Sequence, residues 1–358
     1  MHTKRRKLEK VETRAESPEY LGRLDKIIDW ESLRPVIETT LYPMIEGEEY
    51  RKQGGRPYKD VVMMFKILIL AKLTAKTIEG IALALAHIAY MRKFVGIGMP
   101  TTRTIPHWNT IYKFCRNLTK SNLAEKIFHT SLAEIDKVTK QIMDREENKD
   151  RKFCKRMIID SCIIETQRPN FTDVEYQMIK SGILPIWMNR NNLPYYDINA
   201  RYTKKRETSY FGYKNHILVD AETKIIRQHI TTSAEVHDKN IFLNFLYPYT
   251  EQEYSIYADS AYAAVEHKKE LRRQKIGYKI LKRAYKNRPL STNDKEDNKL
   301  MSQTRAKVEH AFGFMHNSLH KTVFRAKSTA YINVELMLLN LTYNSCRLEQ
   351  LLRLGINN

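Results

Sequence analysis

With 358 residues, the chain exceeds the ~250–300 at which a single hydrophobic core stops growing, so two or three units are expected. Lys and Arg number 61 against 41 Asp and Glu, a net charge of +20 that points to a polyanionic partner. Neither a membrane span nor a secretory signal is expected. The longest apolar run, 61–73, is interrupted by Lys66 and Lys72 and is shorter than the ~18 residues a spanning helix needs, and the start MHTKRRKLEK leads into charge.

The first 20 residues, with Lys4, Arg5, Arg6 and Lys7 together, read as a basic arm. From 21 to 143 the pattern is helical. DVVMMFKILILAKL is a buried helix, TIEGIALALAHIAYMRKFVGI a second, and SNLAEKIFHTSLAEIDKVTKQIM a further pair or one long element. Between them, Pro106 and Asn109-Thr110 open a helix carrying Lys113 and Arg116. Short helices with basic positions suit a DNA-end-binding module of the helix-turn-helix sort; the alternative is a helical cap that only packs on the next domain. Cys115, Cys154, Cys162 and Cys346 lie far apart with no CxxC pair, which fits reduced thiols in a cytosolic protein rather than a zinc site. There is no GxxxxGK[ST] or GxGxxG loop, so nucleotide-driven chemistry is not expected; Gly96-Ile97-Gly98 reads as a turn.

Residues 144–156 form a charge-dense linker, and the pattern then changes. KRMIIDSCIIE is an apolar strand with one acid inside it, and 166–209 is polar and loop-like, ending in Arg201, Lys204, Lys205 and Arg206. Two strands follow, YFGYKNHILVD and KIIRQHITTS, joined by a turn at 220–223. Then come a helix at about 238–249, the strand EYSIYAD, the helix AAVEHKKELRRQKI, the strand GYKILKR and helices near 303–319 and 330–353. Three strands followed by α, β, α, β, α describe a mixed α+β sheet with helices on both sides, the order of the ribonuclease-H-like fold. The catalytic domain is expected at 157–325 and a carboxyl-terminal helix at 326–358.

Asp160 is the informative acid. It lies within a central strand, where a lone carboxylate is costly unless a metal ion or a buried arginine neutralises it. Asp259 ends the strand 254–258, at the edge where open sheets place ligands. Glu309 borders the stripe Val308, Ala311 or Phe312, Met315 and Leu319, one turn from Arg305. Three carboxylates suit Mg2+ or Mn2+, and two such ions ~3.5–4 Å apart can activate an attacking oxygen and stabilise the leaving one at a phosphodiester. Among 41 acidic residues many triples exist, so spacing alone leaves open a set of unrelated surface acids.

The wording of the chain narrows this. DINARYTKKRETSYFGYKNHILVDAETKIIRQHITTSAEVHD, YADSAYAAVEHKKEL, RAYKNRPLS, RAKVEHAFGFM and LLNLTYNSCR resemble insertion-sequence transposases of the DDE type, in particular the insertion-sequence-five family. GGRPYKDVVMMFKILIL resembles their amino-terminal helical module, so the likeness spans residues 54–350. The resemblance places the acids at Asp160, at Asp259 in an ADxAY-like block, and at Glu309 four residues after Arg305. Ser302 and His316 stand where many relatives have Tyr and Lys.

The resemblance implies transposition of the encoding element: cleavage at its ends, then attack of the freed 3′-hydroxyl on target DNA. It implies Asp160, Asp259 and Glu309 as catalytic residues and ligands of two Mg2+ ions, with Mn2+ able to substitute. The expected partners are double-stranded DNA, as terminal inverted repeats and target, and further copies of the chain in a homodimer or higher assembly on DNA. No membrane partner is expected, and the location is cytoplasmic, at the nucleoid. Arg201, Lys204, Lys205, Lys214, His216, Arg305 and His316 are the candidate DNA contacts. Lys214 and His216 share a strand face, which is the active-site face or a solvated edge. The basic run over 268–288 is a phosphate track or a solvated helix face. Asp238 has an orienting role or, on the favoured reading, caps the following helix. A DNA-binding derivative without catalysis and a repair or RNA nuclease on the same fold are the other two readings.

Overall fold

A computed structural model of the chain describes residues 17–45, 59–101, 103–120, 123–143, 155–189, 196–246, 254–285, 289–319, 323–324 and 328–354. Most of the expected basic arm and of the 144–156 linker, and Cys154, lie outside these residues. Cys115, Cys162 and Cys346 are free thiols. Two compact units are formed: Met1–Lys152 with Gly313–Lys321 and Val334–Asn358, and Phe153–Phe312 with Thr322–Asn333.

The first unit is helical. α1 (Pro18–Ile27) is capped by Ser17, whose hydroxyl accepts from the Tyr20 amide, and α2 (Arg34–Ile45) follows a 3-10 turn. α3 (Val61–Leu73), capped by Asp60, is buried at every residue but Met63. Two lysines therefore enter the interior, and each is paired: Lys66 with Asp25 and Lys72 with Glu335. A buried ammonium without such a partner would be strongly destabilising. The single helix expected over 77–97 is two, α4 (Ile78–His87) and α5 (Ala89–Val95), because Ile88 is extended. Arg92 donates to the Leu85 and Ala86 carbonyls, two of those left without helical partners by the break. α6 (Trp108–Asn117) and the one long helix α7 (Leu123–Met143) complete the set before the linker.

The second unit carries a mixed sheet of seven strands. β1 (Lys155–Thr166) lies at its centre. α8 (Asp173–Lys180), β2 (Arg201–Lys205), β3 (Thr208–Asp220) and β4 (Ile226–Ser233) follow. After a 3-10 helix (Asp238–Phe245) come β5 (Tyr254–Ala258), α9 (Val265–Arg273), β6 (Gly277–Ile280), α10 (Thr292–Arg305), α11 (Glu309–Asn317), β7 (Val323–Phe324) and α12 (Thr329–Leu354), of which α11 from Gly313 and α12 from Val334 belong to the first unit. β1 runs antiparallel to β3, with Asp160 opposite Ile217, and parallel to β5, with Ile158 beside Tyr257. β6 extends the parallel side, while β2 and β4 both pair with β3. Gly212 makes the β1–β3 contact possible. Its φ is +154°, and a Cβ there would sit 2.1 Å from the Ile164 carbonyl oxygen.

Alternation along β1 divides its residues between faces. Met157 and Ile159 join Leu218, Ile256, Phe242, Phe245 and Leu271 in a buried cluster, which leaves Asp160 on the opposite face. Three expectations need correction. The loop expected over 166–209 contains α8, opened by a Thr172–Glu175 capping box, and the edge strand β2. The helix expected at 238–249 is a 3-10 helix over Asp238–Phe245. The helix expected from 303 starts at Thr292 and is interrupted by a 3-10 turn, Ala306–Val308. Of α10's residues only Thr304 is buried, so it offers no apolar stripe for periodicity to detect.

Candidate active site

Asp160 projects from the middle of β1 with its side chain 19% exposed. Its Oδ1 accepts from the Ser161 amide at 2.8 Å, and its Oδ2 accepts from Arg305 Nη1 at 2.9 Å. Burial pushes the carboxyl from its ordinary 3.8 up to about 6; the charges of Asp259 and Asp238 push the same way, against the Ser161 N–H and Arg305. Both possibilities for neutralising this acid thus remain chemically open, and in this conformation the arginine fills the role.

Arg305, the last residue of α10, also brings Nη2 to 3.8 Å from Glu309 Oε1, one turn on. Glu309 opens α11 and is 69% exposed. Asp259 lies just past β5 and accepts from the Ala261 amide at 2.6 Å, capping a 3-10 turn. It has no cationic partner among the described residues. The turn carries Tyr262, which is buried; burial and the nearby charges of Asp238, Asp160 and Asp259 hold its hydroxyl protonated.

Asp238 is the member the sequence undervalued. The helix cap falls to His237, whose Nδ1 accepts from the Lys239 amide. Asp238 Oδ1 instead accepts from Lys214 Nζ at 2.8 Å, and that ammonium also donates to the Val236 carbonyl. His216 Nδ1 lies 3.9 Å from the same carboxylate oxygen. The signal available in the sequence was the same-face spacing of Lys214 and His216, which needs a common acid to face.

The remaining candidates divide by exposure. His216 is fully buried, its Nε2 within 2.9 Å of the Thr232 hydroxyl, and burial lowers its pKa to about 4. It is an interior group, out of reach of a phosphate. Arg201 donates to the Ile198 and Ala200 carbonyls and approaches Glu235 at 3.4 Å, so its guanidinium is committed to the fold. Lys204 and Lys205 are exposed at the end of β2. His316 belongs to the first unit and borders Asn317. In the basic run, Arg273 pairs with Glu270 and Lys282 with Asp294 and Asp297, while Lys286 and Arg288 lie outside the described residues.

Among the described residues no group of three His, Cys, Asp or Glu side chains stands in metal-holding geometry. The donor chemistry nonetheless fits a hard divalent cation. Asp160, Asp259 and Glu309 offer only oxygen, and the desolvated Asp160 with unpaired Asp259 leaves negative charge that Arg305 alone does not offset.

Residues 155–345 match the family described as Transposase DDE domain, and residues 9–117 match Transposase domain (DUF772). The first match covers more than half of the chain. The chain belongs to the DDE transposase family. DDE transposases generally use divalent metal ions. Among solved structures, this transposase is similar to the piggyBac transposase synaptic complex with hairpin DNA, determined by cryo-EM. The identity is 11%, with 93% of this chain and 75% of that chain covered and a TM-score of 0.43. No helix among the described residues of the transposase is long and apolar enough to cross a membrane.

Proposed function

We propose that this transposase cleaves DNA at the ends of the insertion sequence that encodes it and joins the freed 3′-hydroxyl to target DNA. On this reading it is a member of the insertion-sequence-five group, with a ribonuclease-H-like catalytic domain over 157–325. A helical DNA-binding module over 21–143 precedes it, joined by the linker 144–156, and a carboxyl-terminal helix over 326–358 follows. The observation that carries the reading is the convergence on Asp160. Arg305 bonds it and approaches Glu309, and burial, with a smaller push from the charge of Asp259, raises its pKa. A carboxyl so perturbed, set beside further acids and a cation, is a mark of a catalytic centre.

Asp160, Asp259 and Glu309 are the residues that would hold two Mg2+ ions, with Mn2+ as a substitute. When bound, such ions supply Lewis-acid activation of the attacking oxygen and charge stabilisation at the leaving one. The chain's own groups do the rest. Asp160 is fixed by the Ser161 amide, so its orientation is set before DNA arrives. Arg305, a planar multi-donor group already at the centre, is suited to a phosphate oxygen at the scissile position. Lys214, on the Asp238 side, can hold a second one. Lys204 and Lys205 would follow the backbone farther out. Joining needs no external energy, since one phosphodiester is exchanged for another. The working form is a homodimer or higher assembly, because two element ends must be held together.

The test is an incubation of the full chain with plasmid DNA carrying the element and its flanks. Strand breaks with 3′-hydroxyls at the element ends, dependent on Mg2+ or Mn2+ and absent with Ca2+, are expected. Full activity in excess chelator would overturn the assignment.

A further inference from the structure

Within the second unit, a cavity of 1090 Å³ opens between β5, β6 and α10. Three tyrosines from separate places line it: Tyr257 on β5, Tyr278 on β6 and Tyr285 beyond β6. Lys268, Lys279 and Arg283 also line it, and none has an acidic partner among the described residues. The acids on its wall, Asp294 and Asp297, share the one ammonium of Lys282, which leaves a single negative charge against those three cations. The rim is fixed: the Lys282 amide donates to Asn298 Oδ1 at 2.9 Å, and the Lys282 carbonyl accepts from Asn298 Nδ2 at 2.9 Å. The cavity is therefore an aromatic-lined hollow with surplus positive charge on a pinned frame.

Its position matters as much as its lining. Tyr257 on β5 lies two residues before Asp259, which follows that strand, and the helix that supplies Thr304 to the wall ends at Arg305, the partner of Asp160. Its volume lies just above the roughly 300–1,000 Å³ typical of small-ligand sites, which admits a few nucleotides and excludes a duplex. Unpaired bases have exposed faces that stack on aromatic rings whatever their identity, and their phosphates need cations. An acidic peptide would satisfy the lysines but leave three ring faces unused.

We propose that this cavity binds a short single-stranded segment of DNA, its bases stacked on Tyr257, Tyr278 and Tyr285 and its phosphates held by Lys268, Lys279 and Arg283. The proposal rests on the reading of the chain as acting on DNA, and adds that a strand is unpaired beside the catalytic acids. Tyr285 is 69% exposed, so Tyr285→Ala should fold normally, which thermal denaturation of the full chain checks.

Fluorescence anisotropy with labelled oligothymidylate, run beside a blunt duplex of random sequence, is the experiment. Tyr285→Ala should weaken oligothymidylate binding about tenfold and leave duplex binding unchanged. Oligothymidylate carrying 5-iododeoxyuridine should photocross-link to one of the three tyrosines, located by mass spectrometry. The proposal is overturned by an equal loss for single strand and duplex, by no loss for either, by a cross-link elsewhere, or by polyglutamate competing as well as unlabelled oligothymidylate. A wild-type chain that binds duplex but not oligothymidylate also overturns it and leaves the proposed function standing. Binding of neither would remove both.

Discussion

Replacing Asp160 by Asn should stabilise the metal-free protein even though it removes the central acid. Burial raises the folded pKa of this carboxyl from 3.8 to about 6. A raised carboxyl pKa means the fold disfavours the ionised form, so the stability this group contributes is complete below pH 3.8 and is lost as pH rises through 6. The difference corresponds to about 3 kcal/mol at pH 8 and about 1 kcal/mol at pH 4.5. Asn keeps an acceptor for the Ser161 amide but deprives Arg305 of its anionic partner, leaving it Glu309 at 3.8 Å. A net gain of about 1–3 kcal/mol at pH 8, shrinking toward pH 4.5, is therefore expected. Urea denaturation of wild type and Asp160→Asn in chelator, at both pH values, measures it. An Asn variant less stable than wild type at pH 8, with the deficit shrinking toward pH 4.5, would show that the Arg305 contact outweighs desolvation and would refute the reasoning.

Three further outcomes follow from the same structure. Lys204→Gln with Lys205→Gln should flatten the slope of log K against log salt by about 2 if both contact phosphates, with affinity falling alike for terminal and random DNA; an unchanged slope removes them from the DNA path. Gly212→Ala should cost about 3 kcal/mol or more in denaturation experiments, because its Cβ meets the Ile164 carbonyl; a loss under about 1 kcal/mol would contradict that close approach. His216, buried and lowered to about 4, is held neutral, so it withdraws stability as pH falls from 6.5 toward 4. His216→Gln should lessen the acid sensitivity of the melting temperature in that window, and an unaltered pH profile would argue against it.

The central strand and its acid were legible because burying one aspartate amid six apolar neighbours is costly, so a chain that keeps it there has a use for the charge. Asp259 was legible as the residue following a short strand. The local pattern could not say what Asp160 faces: a metal ion and an arginine both satisfy a buried carboxylate, and Arg305 is far along the chain. Asp238 was misread because His237-Asp238 offers two capping side chains, and only the position of Lys214 across the sheet decides which of them turns inward. His216 looked like a surface group beside Lys214 because alternation gives a common face but not its depth. β2 and α10 escaped notice for one reason. Both are polar elements held by register and capping boxes rather than by buried faces, and hydrophobic periodicity is silent about such segments.

Single variants of the three acids test their catalytic role most directly. Asp160→Asn, Asp259→Asn and Glu309→Gln should each lose DNA cleavage by far more than the ~10–100-fold that follows loss of a supporting contact, while binding of element ends stays near wild type. A strand-break assay on end-bearing plasmid, paired with anisotropy on a duplex of the same end, reads both quantities. Cleavage within about a hundredfold of wild type in any one variant would take that residue out of the catalytic set.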